Sequence, residues 1–220
     1  MKVEIWSDVV CPWCYIGKRR FERALERFDG AGEVEVTWRS FQLNPDRPKG
    51  SRQSHDAYLA AKLGATIEQV QTMNQRVIGL AAAEGLDYDF EHYQVVNTFD
   101  AHRLTHLAKA QGLGAAIQER FLRAQLVEGE VLDDAATLIR LAAEVGLAAD
   151  DAREVLDSDA HAVDVQDDLR EARALGVNGV PFFVVDRRFG VSGAQETEVF
   201  LQVLGQAQSE RGRQAVGPTP

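Results

Sequence analysis

Strand-forming sequence is confined to the two ends of this chain, and that distribution limits its fold more than any other feature. Near the N-terminus Val3 and Ile5 alternate with Lys2 and Glu4 and lead into Trp6, the period-two pattern of a strand with one face on a core. Ser7-Asp8-Val9-Val10 then forms a turn. From Pro12 to Phe28 the residues Cys14, Gly17, Phe21, Leu25 and Phe28 recur at spacings of three and four, while Lys18, Arg19, Glu22, Arg23 and Glu26 fill the outer face. This predicts an amphipathic helix with Cys14 on its buried stripe. Asp29-Gly30-Ala31-Gly32 ends the helix, and Val34, Val36 and Trp38 alternate with Glu35, Thr37 and Arg39 in a second strand. A strand-helix-strand unit of this kind should be parallel and right-handed.

Between Asn44 and Gly50 two prolines and a glycine break the pattern, and from Ser54 to Leu175 no convincing strand is present. Helices are predicted near 55–63, 66–84, 92–111, 114–127, 134–145 and 160–175, punctuated by Gly64, Gly85, Gly112, Gly129, Gly146 and Gly176. This is a bundle of about 120 residues, a size able to hold a core of its own. Strand signal returns with Val180-Pro181-Phe182-Phe183-Val184-Val185, an apolar run suited to a strand covered on both faces. Asp186-Arg187-Arg188 turns it into Phe189-Gly190-Val191, and a last helix carries Val199, Phe200, Val203, Leu204 and Ala207 on one face. The polar, Gly- and Pro-containing stretch from Ser209 to Pro220 is expected to be a flexible tail. The order is β-α-β, then helices, then β-β-α, with no internal repeat.

Composition narrows the function classes. With 45% hydrophobic residues in 220, the chain can bury a sizeable core. A formal charge of −10 repels a phosphate backbone, so nucleic acid is not an expected partner. No apolar run approaches the ~20 residues of a membrane helix. Met1-Lys2-Val3-Glu4-Ile5 leads straight into strand sequence with no signal-peptide core, so a cytoplasmic location is expected. Oligomeric state is left open.

Only two cysteines occur, Cys11 and Cys14, and a pair three positions apart cannot staple a secreted fold. A bridge between them would close a very short loop and stabilise little, so their value must lie in reactivity. Disulfide exchange needs one thiolate to attack and a second thiol to resolve the mixed disulfide, and a C-x-x-C at a helix start supplies both. Pro12 suits the first helical position, where its missing N–H goes unnoticed. The helix dipole then favours a thiolate on Cys11, by less than ~1 kcal/mol if exposed and more if partly buried. Cys14, on the apolar face, is expected to hold its proton more tightly and to resolve. Two other readings stand beside this one. The cysteines could be small buried hydrophobes, although a core does not call for Pro and Trp between them. They could also hold zinc, which would need His102 and His106, one helical turn apart, to complete four ligands. Val180-Pro181 reads on its own as a proline in trans at a strand's first position, since cis is only about 5–6% of X–Pro bonds.

Longer motifs add to these. Ser7-Asp8-Val9-Val10-Cys11-Pro12-Trp13-Cys14-Tyr15-Ile16-Gly17, Phe41-Gln42-Leu43-Asn44-Pro45, Asn97-Thr98-Phe99-Asp100-Ala101-His102-Arg103-Leu104 and Val191-Ser192-Gly193-Ala194-Gln195 resemble the DsbA family, particularly its cytoplasmic FrnE-like branch. The resemblance spans nearly the whole chain. It implies an α/β, thioredoxin-like fold interrupted by a large α-helical insertion domain. The discontinuous thioredoxin-like domain would comprise 1–50 and 177–208, the insertion 51–176 and the tail 209–220. It further implies a thiol–disulfide oxidoreductase with Cys11 and Cys14 as the catalytic pair, supported by Pro12, Trp13 and a cis Pro181 facing the two sulfurs. The backbone of Val180 would be free to pair with an extended substrate, with Asn44, His102 and Gln195 also on the substrate side. Partners would be protein or peptide thiols and disulfides. No cofactor beyond the redox-active disulfide and no metal is expected, and glutathione is a candidate co-substrate.

The sequence departs from secreted DsbA in lacking a signal peptide and in carrying Trp13 in place of histidine. Against a cytosolic glutathione poise of about −220 to −320 mV, a couple as oxidising as DsbA's, near −120 mV, would rest as the dithiol. Net reduction or isomerisation of substrates is then expected. Kappa-class glutathione transferases and 2-hydroxychromene-2-carboxylate isomerases are similar in architecture and supply an alternative, a glutathione-dependent isomerase or transferase. A serine usually stands in that group where Cys11 stands here. A second alternative is a non-catalytic peptide-binding or holdase module using the same cleft.

Overall fold

The computed structural model describes residues 1–215, with side chains to 213. Strand β1 (Lys2–Ser7) leads through the turn at 8–10 into helix α1 (Pro12–Arg27), and β2 (Glu35–Ser40) returns parallel to β1, with Val3 opposite Val36 and Ile5 opposite Trp38. The chain comes back to this sheet with β5 (Phe182–Val185), antiparallel to β1, and β6 (Phe189–Ser192), antiparallel to β5. The strand order is β2-β1-β5-β6. The two central strands are therefore β1 and β5, which explains why the β5 sequence is apolar without alternation.

One face of the sheet is covered by α1 and the last helix, α9 (Thr197–Ala215), whose side chains enclose Val3, Ile5, Phe21, Phe183, Val191, Phe200 and Leu204. Phe21, Phe183 and Phe200 meet there in tilted and edge-on pairs with centroids 4.6–5.6 Å apart. The opposite face packs Trp6 and Val184 against Ala172 and Val177, and the Trp6 indole donates to the Asp168 carbonyl at 3.1 Å.

Between β2 and β5 lie α2 (His55–Leu63), α3 (Ile67–Ala83), α4 (Phe99–Ala110), α5 (Gly114–Leu126), α6 (Ala135–Glu144), α7 (Ala149–Asp157) and α8 (Ala162–Ala174). Their apolar faces do not close on themselves. The largest core joins Leu104, Ile117, Phe121, Leu122, Leu138 and Leu141 of these helices to Val9, Val10, Cys11, Cys14, Tyr15 and Ile16 of the motif and its helix. The thiols thus sit inside the core that the helical segment builds. Among the described residues no helix is long and apolar enough to cross a membrane.

Several expectations are corrected. The stretch read as strand-free holds β3 (Gln53–Ser54) and β4 (Gln94–Val95), paired antiparallel. Because 94–95 is held in that bridge, the helix expected from 92 starts at Phe99, whose N–H is capped by Asn97 Oδ1 at 2.9 Å. Helix α7 was not foreseen: it has nine residues, only two of them buried, and no capping side chain, so Asp150 and Asp151 in its first turn are its only signal. Lys18, expected on the outer face of α1, is buried against α5. Helix α9 does not stop at Ser209 but runs to Ala215, held by ion pairs from Arg188 to Glu210 and from Arg211 to Asp186. A helix whose last turns face water needs good helix formers such as Gln, Glu and Arg, not an apolar stripe. The expected tail at 216–220 lies outside the described residues.

Candidate active site

Cys11 is the N-cap of α1, in extended conformation at φ −95°, ψ 112°, and Pro12 opens the helix. The turn that delivers it is closed by the Cys11 N–H donating to the Asp8 carbonyl at 3.0 Å, and the Cys14 N–H donates to the Cys11 carbonyl at 3.0 Å. Both thiols are free, and that of Cys11 donates to the Val180 carbonyl at 3.4 Å. Exposure of the first sulfur, left open by the sequence, is settled by packing: Cys11 is only 3% exposed and Cys14 1%, because Val180 and the helical segment close over them. Trp13 between them is 39% exposed. Burial pushes the Cys14 thiol well above its ordinary range, reinforced by the hydrogen bond and charge of Cys11 and opposed by the Ser7 hydroxyl and the Asp8 backbone. Gln118 Nε2 donates to Ser7 Oγ at 3.1 Å, leaving the Ser7 hydroxyl hydrogen for the Cys14 sulfur.

The opposite wall is the Val180–Pro181 bond, which is cis, as the resemblance implied and against the base rate. Its loop packs on α1 through a contact that only glycine allows. A Cβ on Gly17 would lie 2.9 Å from Pro181 Cγ and 3.4 Å from Ala194 Cα. The Gly193 N–H donates to the Pro181 carbonyl at 2.9 Å, from a φ of +81° that suits glycine. Arg20, buried in α1, donates to the Ala194 carbonyl at 2.8 Å and to Glu84 at the end of α3 at 2.7 Å. Arg20 was not named from sequence, and Gly17 only as a position on the buried stripe and in a motif, without this role. The signal for Gly17 was its place inside a helical pattern, where glycine costs about 1 kcal/mol against alanine and calls for a packing reason.

Two tyrosines were also missed. The Tyr93 hydroxyl donates to the Val10 carbonyl and the Tyr88 hydroxyl to the Pro12 carbonyl, the latter at 2.6 Å. Of the other expected residues, His102 is brought beneath the motif. Its Nε2 lies 3.4 Å from Asp8 Oδ1, both side chains are buried, and neither atom has a hydrogen-bond partner among the described residues. Asn44 accepts from the Tyr58 hydroxyl, and the exposed Gln195 donates to the Ser192 carbonyl at 2.8 Å, so both side chains are engaged locally. His106 faces away from the motif, to Asp168 at 3.0 Å and Ser40 Oγ at 3.1 Å. Among the described residues no three His, Cys, Asp or Glu side chains gather as a metal set.

Two thiols within one helical turn are suited above all to exchanging disulfides, and the sheet and helices that carry them are those of a thioredoxin-like oxidoreductase. The match to the DSBA-like thioredoxin domain runs over residues 2–205, and the chain belongs to that family. It is a DsbA-like thiol–disulfide oxidoreductase. The crystal structure of a probable DsbA oxidoreductase, SCO1869 from Streptomyces coelicolor, is 45% identical and superposes with a TM-score of 0.92 over 100% of this chain and 92% of that one. Cytosolic disulfide reductase DsbM from Pseudomonas aeruginosa with GSH shares the fold at 19% identity and a TM-score of 0.66, over 95% of this chain and 100% of its own. YwbO of Bacillus subtilis (strain 168) is 26% identical over 211 residues, 95% of this chain and 98% of that protein.

Proposed function

We propose that the protein reduces or rearranges disulfides of peptide and protein substrates by exchange through Cys11 and Cys14. The observation that carries this reading is the Cys11 thiol's hydrogen bond to the Val180 carbonyl, which sets the first sulfur of the motif beside the backbone leading into β5. The Cys11 thiolate attacks one sulfur of a substrate disulfide; a Cys11–substrate bond forms, the substrate S–S bond breaks, and one substrate sulfur leaves as thiolate. Cys14 then gives up its proton and attacks the Cys11 sulfur, forming the internal disulfide and releasing the second substrate sulfur. The substrate gains two electrons and the motif loses two. Two equivalents of glutathione thiol restore the dithiol and leave as glutathione disulfide, with the protons returning to the two cysteines.

Burial of Cys14 supports this division of labour, because a thiol held protonated does not compete for substrate before a mixed disulfide forms next to it. The exposed face of Trp13 gives an apolar chain somewhere to rest, and a thiol is a weak donor that an extended substrate can replace at the Val180 carbonyl. The description of DsbM as a cytosolic disulfide reductase, solved with GSH, supports the reducing direction and the recycling thiol. Mixing single variants with an oxidised peptide tests the reading by mass spectrometry: Cys14→Ser should accumulate a peptide adduct on Cys11, and Cys11→Ser should form none. Equal residual exchange in the two variants would overturn it.

A further inference from the structure

We infer that Tyr88 and Tyr93 are positioning residues that set the dithiol–disulfide equilibrium of the motif, through hydrogen bonds to the carbonyls of the two residues that flank Cys11. This rests on the exchange reading above and extends it to residues of the helical segment. Both tyrosines lie in the connection between α3 and α4, and both are buried. The hydroxyl of Tyr93 donates to the carbonyl of Val10, the residue before Cys11, and that of Tyr88 to the carbonyl of Pro12, the residue after it. The rings are buttressed: His55 stacks on Tyr93 at 4.5 Å between centroids, and Phe90 bridges Tyr93 and Tyr88 at 5.6 and 5.5 Å. The hydroxyls therefore have little freedom to turn elsewhere.

Each carbonyl oxygen presents partial negative charge one residue from the attacking sulfur. A hydroxyl hydrogen on each offsets that charge beside the Cys11 thiol as it ionises for exchange, and does less beside the neutral disulfide. Both phenols are in electrostatic reach of the two sulfurs, since after burial the charges of Cys11 and Cys14 are among the causes that hold them protonated. Removing either hydroxyl leaves a carbonyl less well satisfied and should favour the disulfide, making the protein a stronger reductant.

The test compares the full-length protein with Tyr88→Phe, Tyr93→Phe and, as a control, Tyr15→Phe, which loses a hydroxyl that donates to Glu119 rather than to the motif backbone. Each is equilibrated in glutathione redox buffers and the dithiol-to-disulfide ratio is read by alkylation and mass spectrometry. The expected result is a shift toward the disulfide of about 3- to 5-fold for each of the two variants, the scale of one hydrogen bond, with Tyr15→Phe unmoved. A merely structural role would lower the unfolding midpoints of reduced and oxidised protein alike and leave the ratio at the wild-type value; that result overturns the inference. If Tyr93→Phe does not fold, Tyr88→Phe decides alone. A wild-type protein that never equilibrates with glutathione overturns the exchange reading itself, and with it this one.

Discussion

Gly17 shows how much of the site depends on an absent side chain. The atoms a Cβ would meet there are a proline ring carbon and backbone, and neither can swing aside. Gly17→Ala should push the Pro181–Ala194 wall off α1, cost about 1–3 kcal/mol of stability in urea unfolding, and slow disulfide exchange. Unchanged stability and rate would mean that the wall is held by other contacts. The reactive residues were legible from sequence because their chemistry is rare: two cysteines at this spacing, with proline between them, have few other uses. Tyr88 and Tyr93 were not, because they act through hydroxyl contacts that no pattern of apolar residues records, and Tyr93 falls in a stretch that reads as helix but leads into β4. Cys11 was placed correctly at the helix start, yet its burial was not foreseen. What covers it, Val180 and the helical core, comes from remote parts of the chain.

Helix α1 is fastened to the helical segment by a charge cluster in which Tyr15, Lys18 and Arg19 converge on Glu119 of α5. Burial opposes a charge on that carboxyl, but the hydrogen bonds from Arg19, Lys18 and Tyr15 prevail and hold it at about 2. Glu119→Gln should cost about 2 kcal/mol, because Lys18 is buried and would lose one of its two carboxylate partners, with some of the loss softened by solvent at the partly exposed Glu119. Double-mutant cycles in urea unfolding should assign most of that cost to the Lys18–Glu119 pair and almost nothing to the exposed pair Arg153–Asp150. Equal values for the two pairs would show that burial does not set the difference. This cluster also explains why α1 was legible in span but not in orientation. Periodicity identifies one buried stripe, whereas α1 is covered on a second side by α5 through polar residues. The strands β3 and β4 escaped because two residues are too few to show alternation, and α7 because a short, mostly exposed helix leaves only its first-turn acids as a mark.

For the molecule as a whole, acid should weaken the fold in two stages. Burial lowers His55 to about 4, below its ordinary 6.5, so between these values the unfolded chain binds a proton that the folded chain refuses. Stability therefore falls as pH falls through that window, by at most about 1.4 kcal/mol per unit. Glu119 and Asp168 follow at lower pH. Asp168 is held down, against its burial, by hydrogen bonds from His106 and the Ser40 N–H, so both carboxylates support the fold above their ordinary values and lose that support as they protonate. Urea midpoints across pH should show a slope between 6.5 and 4 that flattens in His55→Gln; an unaltered slope would assign that window to another group. The pairing of β1 with β5 has a consequence in time. Cys11 leaves the ribosome 169 residues before the Val180 carbonyl that receives its thiol, and at about 5–20 residues per second this is a delay of about 10–30 s. During that interval β1 lacks its central neighbour and the thiols lack the cover that Val180 supplies, so the newborn chain meets cellular oxidants with its most reactive atoms less protected, and exposure to oxidants should harm synthesis of this protein more than the finished molecule.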